Sequence, residues 1–228
     1  MRNMTKRRRA LLISSANKSV LPEEFQEVEW LQGTGSQYFS LSQYGIGLTS
    51  DNHFYGIKGD IEELNATRYS WLTINAHSGR PSQSQYEEWN IKGIYGDLEA
   101  GYYPYNATNI NLKVDDELSY HFEINRNSIV INNSVLNNPS FPSNSYCANL
   151  YIGARLGTNE TLIIENSNVK IKSIKLTYDD SVMYELIPCY RKADSIAGLF
   201  YWIDYSQGTS GFITNSGSGS DFLVGPDA

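Results

Sequence analysis

The chain has 228 residues, of which 19% are charged and 40% apolar, with a formal net charge of −7; that apolar content suffices for a packed core and excludes global disorder. The charge is divided unevenly: residues 1–20 carry Arg2, Lys6, Arg7, Arg8, Arg9 and Lys18 with no acid, a net of +6, and the remainder holds 12 basic and 25 acidic groups, a net of −13. An acidic body excludes nucleic acid as the ligand of the main domain, which would need a basic face, and no stretch approaches the ~20 apolar residues of a membrane span.

Residues 1–20 read as an extended arm. The apolar run after Arg9, Ala10 to Ile13, falls short of the roughly 7–15 residues of a secretory h-region, so synthesis in the cytoplasm is expected. Leu21-Pro22 then opens the domain, because proline holds its predecessor extended. Val28–Leu31 and Gln37–Leu41 are predicted strands, and Gly33-Thr34-Gly35 between them predicts a tight hairpin. Strands follow over Asn52–Ile61, Tyr69–Ile74 and Trp89–Tyr95. His77–Gln85 and Gly101–Asn106 are expected as loops.

The clearest alternation lies at Leu118, Tyr120, Phe122 and Ile124, interleaved with Ser119, His121 and Glu123; it predicts a strand with one buried and one wet face. Asn125–Ser128 turns the chain and Ile129–Ile131 returns. Val169–Tyr178 contains a phase slip: Val169 and Ile171 share one parity, Ile174, Leu176 and Tyr178 the other. Lysines fall on both parities, which favours a β-bulge near Lys172-Ser173 over burial of both faces. No segment has the stripe of a long amphipathic helix. The 29 aromatics, 17 of them Tyr, suit pleated sheets, and about a dozen short strands with frequent turns point to a two-sheet sandwich.

Several of these segments resemble the concanavalin A-like, laminin-G-type jelly-roll module of bacteriophage virion proteins. Leu21–Tyr38 is similar to its opening, with Glu27-Val28-Glu29-Trp30 followed by a small-residue turn and Gln37-Tyr38. Asn149–Arg155 resembles its strand ending in Gly-Ala-Arg. Val169–Lys192 resembles its penultimate strands and Ile-Pro-Cys turn, and Asn215–Gly219 its final glycine turn. Trp202–Thr209 is longer than the aromatic-Asp hairpin usual there. The resemblance implies an all-β, two-sheet antiparallel jelly-roll over residues 21–228, preceded by the arm. It also implies a virion role as capsid decoration, head fibre or tail appendage.

Concanavalin-like folds include glucanases whose strand carries Glu-x-Asp-x-Glu. Asp60-Ile61-Glu62 and Asp97-Leu98-Glu99 are partial matches, neither with the leading Glu. No catalytic motif is complete, so the chain is expected not to be an enzyme. Asp115-Asp116-Glu117 offers calcium-type oxygens or, more simply, a solvated turn. Cys147 and Cys189 are expected as two reduced thiols. With His53, His77 and His121 as the only histidines, no metal and no cofactor are expected.

Trp89, Tyr102, Tyr103, Tyr105 and Asn106 are candidate glycan contacts, pairing aromatic faces with amide hydrogen bonds; packing of core and loop is the other reading. Lys6, Arg7, Arg8 and Arg9 form either a solvated tail or an anchor, since arginine pairs bidentately with carboxylates. The expected protein is a virion component, anchored to other virion proteins by its arm. It is further expected to display a jelly-roll to host glycans and to form a homo-oligomer, with no nucleic acid and no membrane insertion. A free lectin-like module is the alternative, and a glycoside hydrolase the remote one.

Overall fold

The computed structural model describes residues 21–44, 46, 55–62, 71–77, 87–94, 97–104, 110–114, 119–125, 127–137, 149–156, 162–164, 166–178 and 181–228. In chain order the strands are β1 (Phe25–Glu27), β2 (Leu31–Thr34), β3 (Phe39–Ser40), β4 (Tyr55–Glu62), β5 (Trp71–His77), β6 (Glu87–Ile94), β7 (Asp97–Pro104), β8 (Ile110–Val114), β9 (Ser119–Ile124) and β10 (Ser128–Ile131). They continue as β11 (Ser134–Asn137), β12 (Asn149–Ile152), β13 (Ala154–Leu156), β14 (Leu162–Ile164), β15 (Asn166–Tyr178), β16 (Ser181–Arg191), β17 (Ile196–Asp204), β18 (Thr209–Thr214) and β19 (Leu223–Val224). Every ladder among them is antiparallel, and the protein is an all-β sandwich.

One layer runs β11–β10–β9–β4–β15, and the far edge of β15 is shared by β2 and the first half of β16. A second runs β8–β7–β6–β5–β12–β3. The second half of β16 leaves β15 and pairs with β17 and β1, with β18 beyond β17. Inner positions of all three groups meet in one core: Ile61, Phe122, Ile124 and Ile174 with Ile91, Leu98 and Ile152, and with Leu199, Tyr201 and Ile213. Each such side chain contributes about 1.5–3 kcal/mol by leaving water.

The alternation in β9 is borne out. Tyr120, Phe122 and Ile124 are buried while Ser119 and His121 are exposed. Its turn is set by Asn125, whose Oδ1 accepts from the amides of Asn127 (2.9 Å) and Ser128 (2.8 Å). The phase slip in β15 is a bulge. Ile171 faces Ile61 and Ser173 faces Asp60, so Lys172 has no backbone register partner on β4. Val169, Ile171, Ile174 and Leu176 thereby all reach the core.

Four expectations are corrected. The Gly33–Gly35 hairpin does not form: β2 pairs with β15 and β19, β3 with β12. The buried Gln37 explains the crossing between layers. Its Oε1 accepts from Thr34 N (2.8 Å), and its Nε2 donates to Thr34 Oγ1 (3.0 Å) and to Ser220 O (2.9 Å). The loop expected at Gly101 begins later, because Gly101–Pro104 extend β7 against β6. His77, expected in a loop, closes β5, where it pairs with Glu88 and Asn149. Ile187-Pro188-Cys189 is no turn but the middle of β16. Pro188 O accepts from Val28 N (3.0 Å); the N and O of a strand residue point the same way, so the missing N–H faces the edge where β1 has ended.

The hairpin of β17 and β18 closes through a 3-10 turn, Tyr205–Gln207. Asp204 caps it by accepting from Ser206 N (3.0 Å), and Gly208 ends it at φ 66, a left-handed conformation that glycine adopts without penalty.

Candidate functional site

The bulge at Lys172 has a chemical consequence. It places Ser173 beside Asp60, while the β4–β9 register places His121 on the other side. Ser173 Oγ donates to Asp60 Oδ2 (2.6 Å), and His121 Nδ1 lies 3.0 Å from Asp60 Oδ1. Burial acts to raise the Asp60 pKa, but the hydrogen bonds from Ser173 and His121, with the charges of His121 and Lys175, outweigh it and hold the carboxyl below its ordinary value. Toward an ionised Asp60 the imidazole presents Nδ1–H.

This trio belongs to a charged ladder on the outer face of β9, β4 and β15. Glu62 pairs with Lys172, and Lys175 with Glu185 at 2.8 Å. The second acidic pair is engaged as well, Asp97 with Lys113 (3.0 Å) and Glu99 with Lys92 (3.6 Å). The carboxylates of both partial glucanase matches are thus tied to partners. Asp60 and His121 have about half of their side chains exposed, 48% and 49%, so solvent screens them. The Ser173 hydroxyl is given to Asp60 rather than to the imidazole, which separates the nucleophile-type group from the base. Among the described residues no three His, Cys, Asp or Glu side chains group as a metal site would require.

A second surface differs entirely. On the outer side of β1, β16, β17 and β18, Ile187, Cys189 and Phe200 are buried beneath Leu21, Phe25, Trp202 and Phe212. The rings form a chain: Phe25 lies 4.9 Å from Phe212 and 5.1 Å from Phe200, Phe200 5.1 Å from Trp202, and Trp202 5.1 Å from Tyr205. These separations suit tilted and edge-to-face aromatic pairs. Tyr205 is 48% exposed, and the buried Trp202 Nε1 has no hydrogen-bond partner. The Cys189 thiol is free. Burial pushes its pKa up to about 12, with a further rise from the charge of Glu27 against a hydrogen bond from the Phe200 backbone; such a thiol is inert.

The proposed glycan contacts are divided. Trp89 on β6 is the register partner of Tyr102 on β7, and Tyr103 that of Glu88. Tyr105 and Asn106 lie outside the described residues, as do Lys6, Arg7, Arg8 and Arg9, the acids at 115–117 and Cys147. Sequence reasoning missed the Asp60–His121–Ser173 trio because its members lie 61 and 113 positions apart. The available signal was the phase slip. It also missed the aromatic outer face, since Ala197–Tyr201 is apolar at both parities and reads only as a doubly buried strand.

No protein-family model matches the chain, and no curated protein does. Among the solved structures that are similar in part are two of one peptidase. Scytalido-glutamic peptidase with a peptide-based transition state analog covers 70% of this chain and 84% of its own, at TM-score 0.33 and 13% identity. The same peptidase with a transition state analog inhibitor covers 69% and 84%, at 0.30 and 14%. Both neighbours are enzymes, which contradicts the expectation that the chain is not one; that expectation is withdrawn. At these TM-scores the likeness carries no argument for peptidase activity here.

Proposed function

We propose that the chain is a bacteriophage virion accessory protein, a capsid decoration, head fibre or tail appendage. In this reading residues 1–20 hold an acidic jelly-roll to other virion proteins, and the sandwich presents polar surface to host glycans. The observation that carries the reading is the charge division, +6 in twenty residues against −13 in the rest: arginines at this density bind carboxylate-rich protein surfaces bidentately. The resemblance of residues 21–38, 149–155, 169–192 and 215–219 to phage jelly-roll modules supports it. So does the meeting of the two ends of the domain. Leu21 packs beside Phe25, and Ala228 N donates to Glu27 O at 3.1 Å. A tether at β1 reaches the ladder strands β15, β4 and β9 only through β16.

The test is incorporation. A chain lacking residues 1–20, supplied during particle assembly, should keep the β-rich circular dichroism and melting temperature of the full chain yet fail to copurify with particles on a density gradient. Unchanged copurification would remove the arm as anchor.

A further inference from the structure

The outer face of a sandwich sheet is ordinarily wet and polar, and the face of β1, β16, β17 and β18 is not. We propose that this face receives the arginine-rich segment, residues 6–9, of a second copy of this chain. The proposal requires only two copies and does not rest on the virion reading, with which it competes for the same arginines.

Two chemistries meet on the face. Its middle is the ring chain of Phe212, Phe25, Trp202 and Tyr205 over the buried Phe200; guanidinium planes stack on the open faces of such rings. The face already holds one such contact, Arg191 lying 5.8 Å from the centre of Phe212. Its margin is acidic. Glu27 shares the parity of Phe25 on β1 and lies near enough to Cys189 to perturb its thiol. Glu23 and Glu24 hold Lys192 through their carbonyls, which leaves both carboxylates for another partner. Asp204 ends β17 and caps the 3-10 turn, and Asp194 precedes β17, already paired with Arg191. With Asp194 and Arg191 paired to each other, the four carboxylates of Glu23, Glu24, Glu27 and Asp204 stand against Lys192.

Aromatic anchors ringed by charge are the composition of an interface centre. The basic segment and the acidic aromatic face are complementary and belong to the same sequence. Leu21, where the arm joins, already covers part of the face, so a chain using its own arm must double back across its root. Two copies exchanging arms avoid that reversal and close as a symmetric pair.

Sedimentation velocity of the full chain tests this. A dimer is expected at low ionic strength, dissociating as salt screens the charges. Replacing Arg7, Arg8 and Arg9 together by Gln should weaken association at least tenfold, about 1.4 kcal/mol. Glu27→Lys and Tyr205→Ser should each weaken it with the circular dichroism unchanged, and Arg8→Glu added to Glu27→Lys should restore part of the loss. A monomer at every concentration would overturn the proposal; slow tryptic cleavage within the arm of that monomer would assign the face to the chain's own arm. A dimer indifferent to the triple substitution would also overturn it, by placing the contact elsewhere. Particle incorporation is read separately, so either idea can fail alone.

Discussion

Two kinds of outer surface share one strand. In the first half of β16 the outward position Glu185 pairs with Lys175 and extends the charged ladder of β9, β4 and β15. Two residues on, at Ile187 and Cys189, the same side of the same strand is buried under aromatic rings. The change falls where β16 leaves β15 for β17, between Leu186 and Ile187. The charged half is held by partly exposed ion pairs, each worth about 0–1 kcal/mol. The aromatic half buries whole side chains, each worth several times that. Stability therefore resides in the half nearer the arm, and the ladder serves solubility.

The contrast can be broken at either end. The largest effect is expected at Phe200, which is fully buried on the outer side of its sheet. Phe200→Ala should cost about 3–5 kcal/mol in urea unfolding, whereas Glu185→Ala should cost at most about 1 kcal/mol; equal costs would dissolve the distinction.

Deleting Lys172 should be milder, about 1–2 kcal/mol from the lost ion pair and local adjustment. The deletion removes the unpaired residue and leaves Ile171, Ser173 and Ile174 in regular alternation against Ile61, Asp60 and Gly59. Loss of folding on this deletion would mean that the bulge is required by β2 and β16 rather than by β4.

The smallest effect concerns pH. Folded Asp60 titrates below its ordinary value of 3.8, so its stabilisation is complete above that value and is lost as pH falls through the lower folded one. Allowing for its half-exposed setting, Asp60→Asn should cost a few tenths to about 1 kcal/mol near neutral pH. The difference from wild type should vanish in acid; a constant difference across pH would assign the loss to packing.

These features were legible in the sequence to different degrees for physical reasons. The β9 alternation and the β15 slip are local, since side-chain parity is written in consecutive residues. The crossing at Gln37 was not legible: two glycines signal a reversal, but the amide that diverts the chain is satisfied by Ser220, 183 positions away. The Asp60 trio likewise needs three strands in register, and register between distant strands is fixed by the core rather than by any one segment. The arm's charge was plain from the start; the surface that matches it emerged only when β1, β16, β17 and β18 lay side by side.

The central claim, that the aromatic half of the outer face is a contact surface and the charged half faces solvent, is tested most directly by side-chain footprinting of the full chain, assembled and salt-dissociated. Assembly should lower the hydroxyl-radical reactivity of Tyr205, Trp202 and Phe212 and leave His121 equally open to diethyl pyrocarbonate. Protection of His121 with unchanged labelling of Tyr205 would contradict the account.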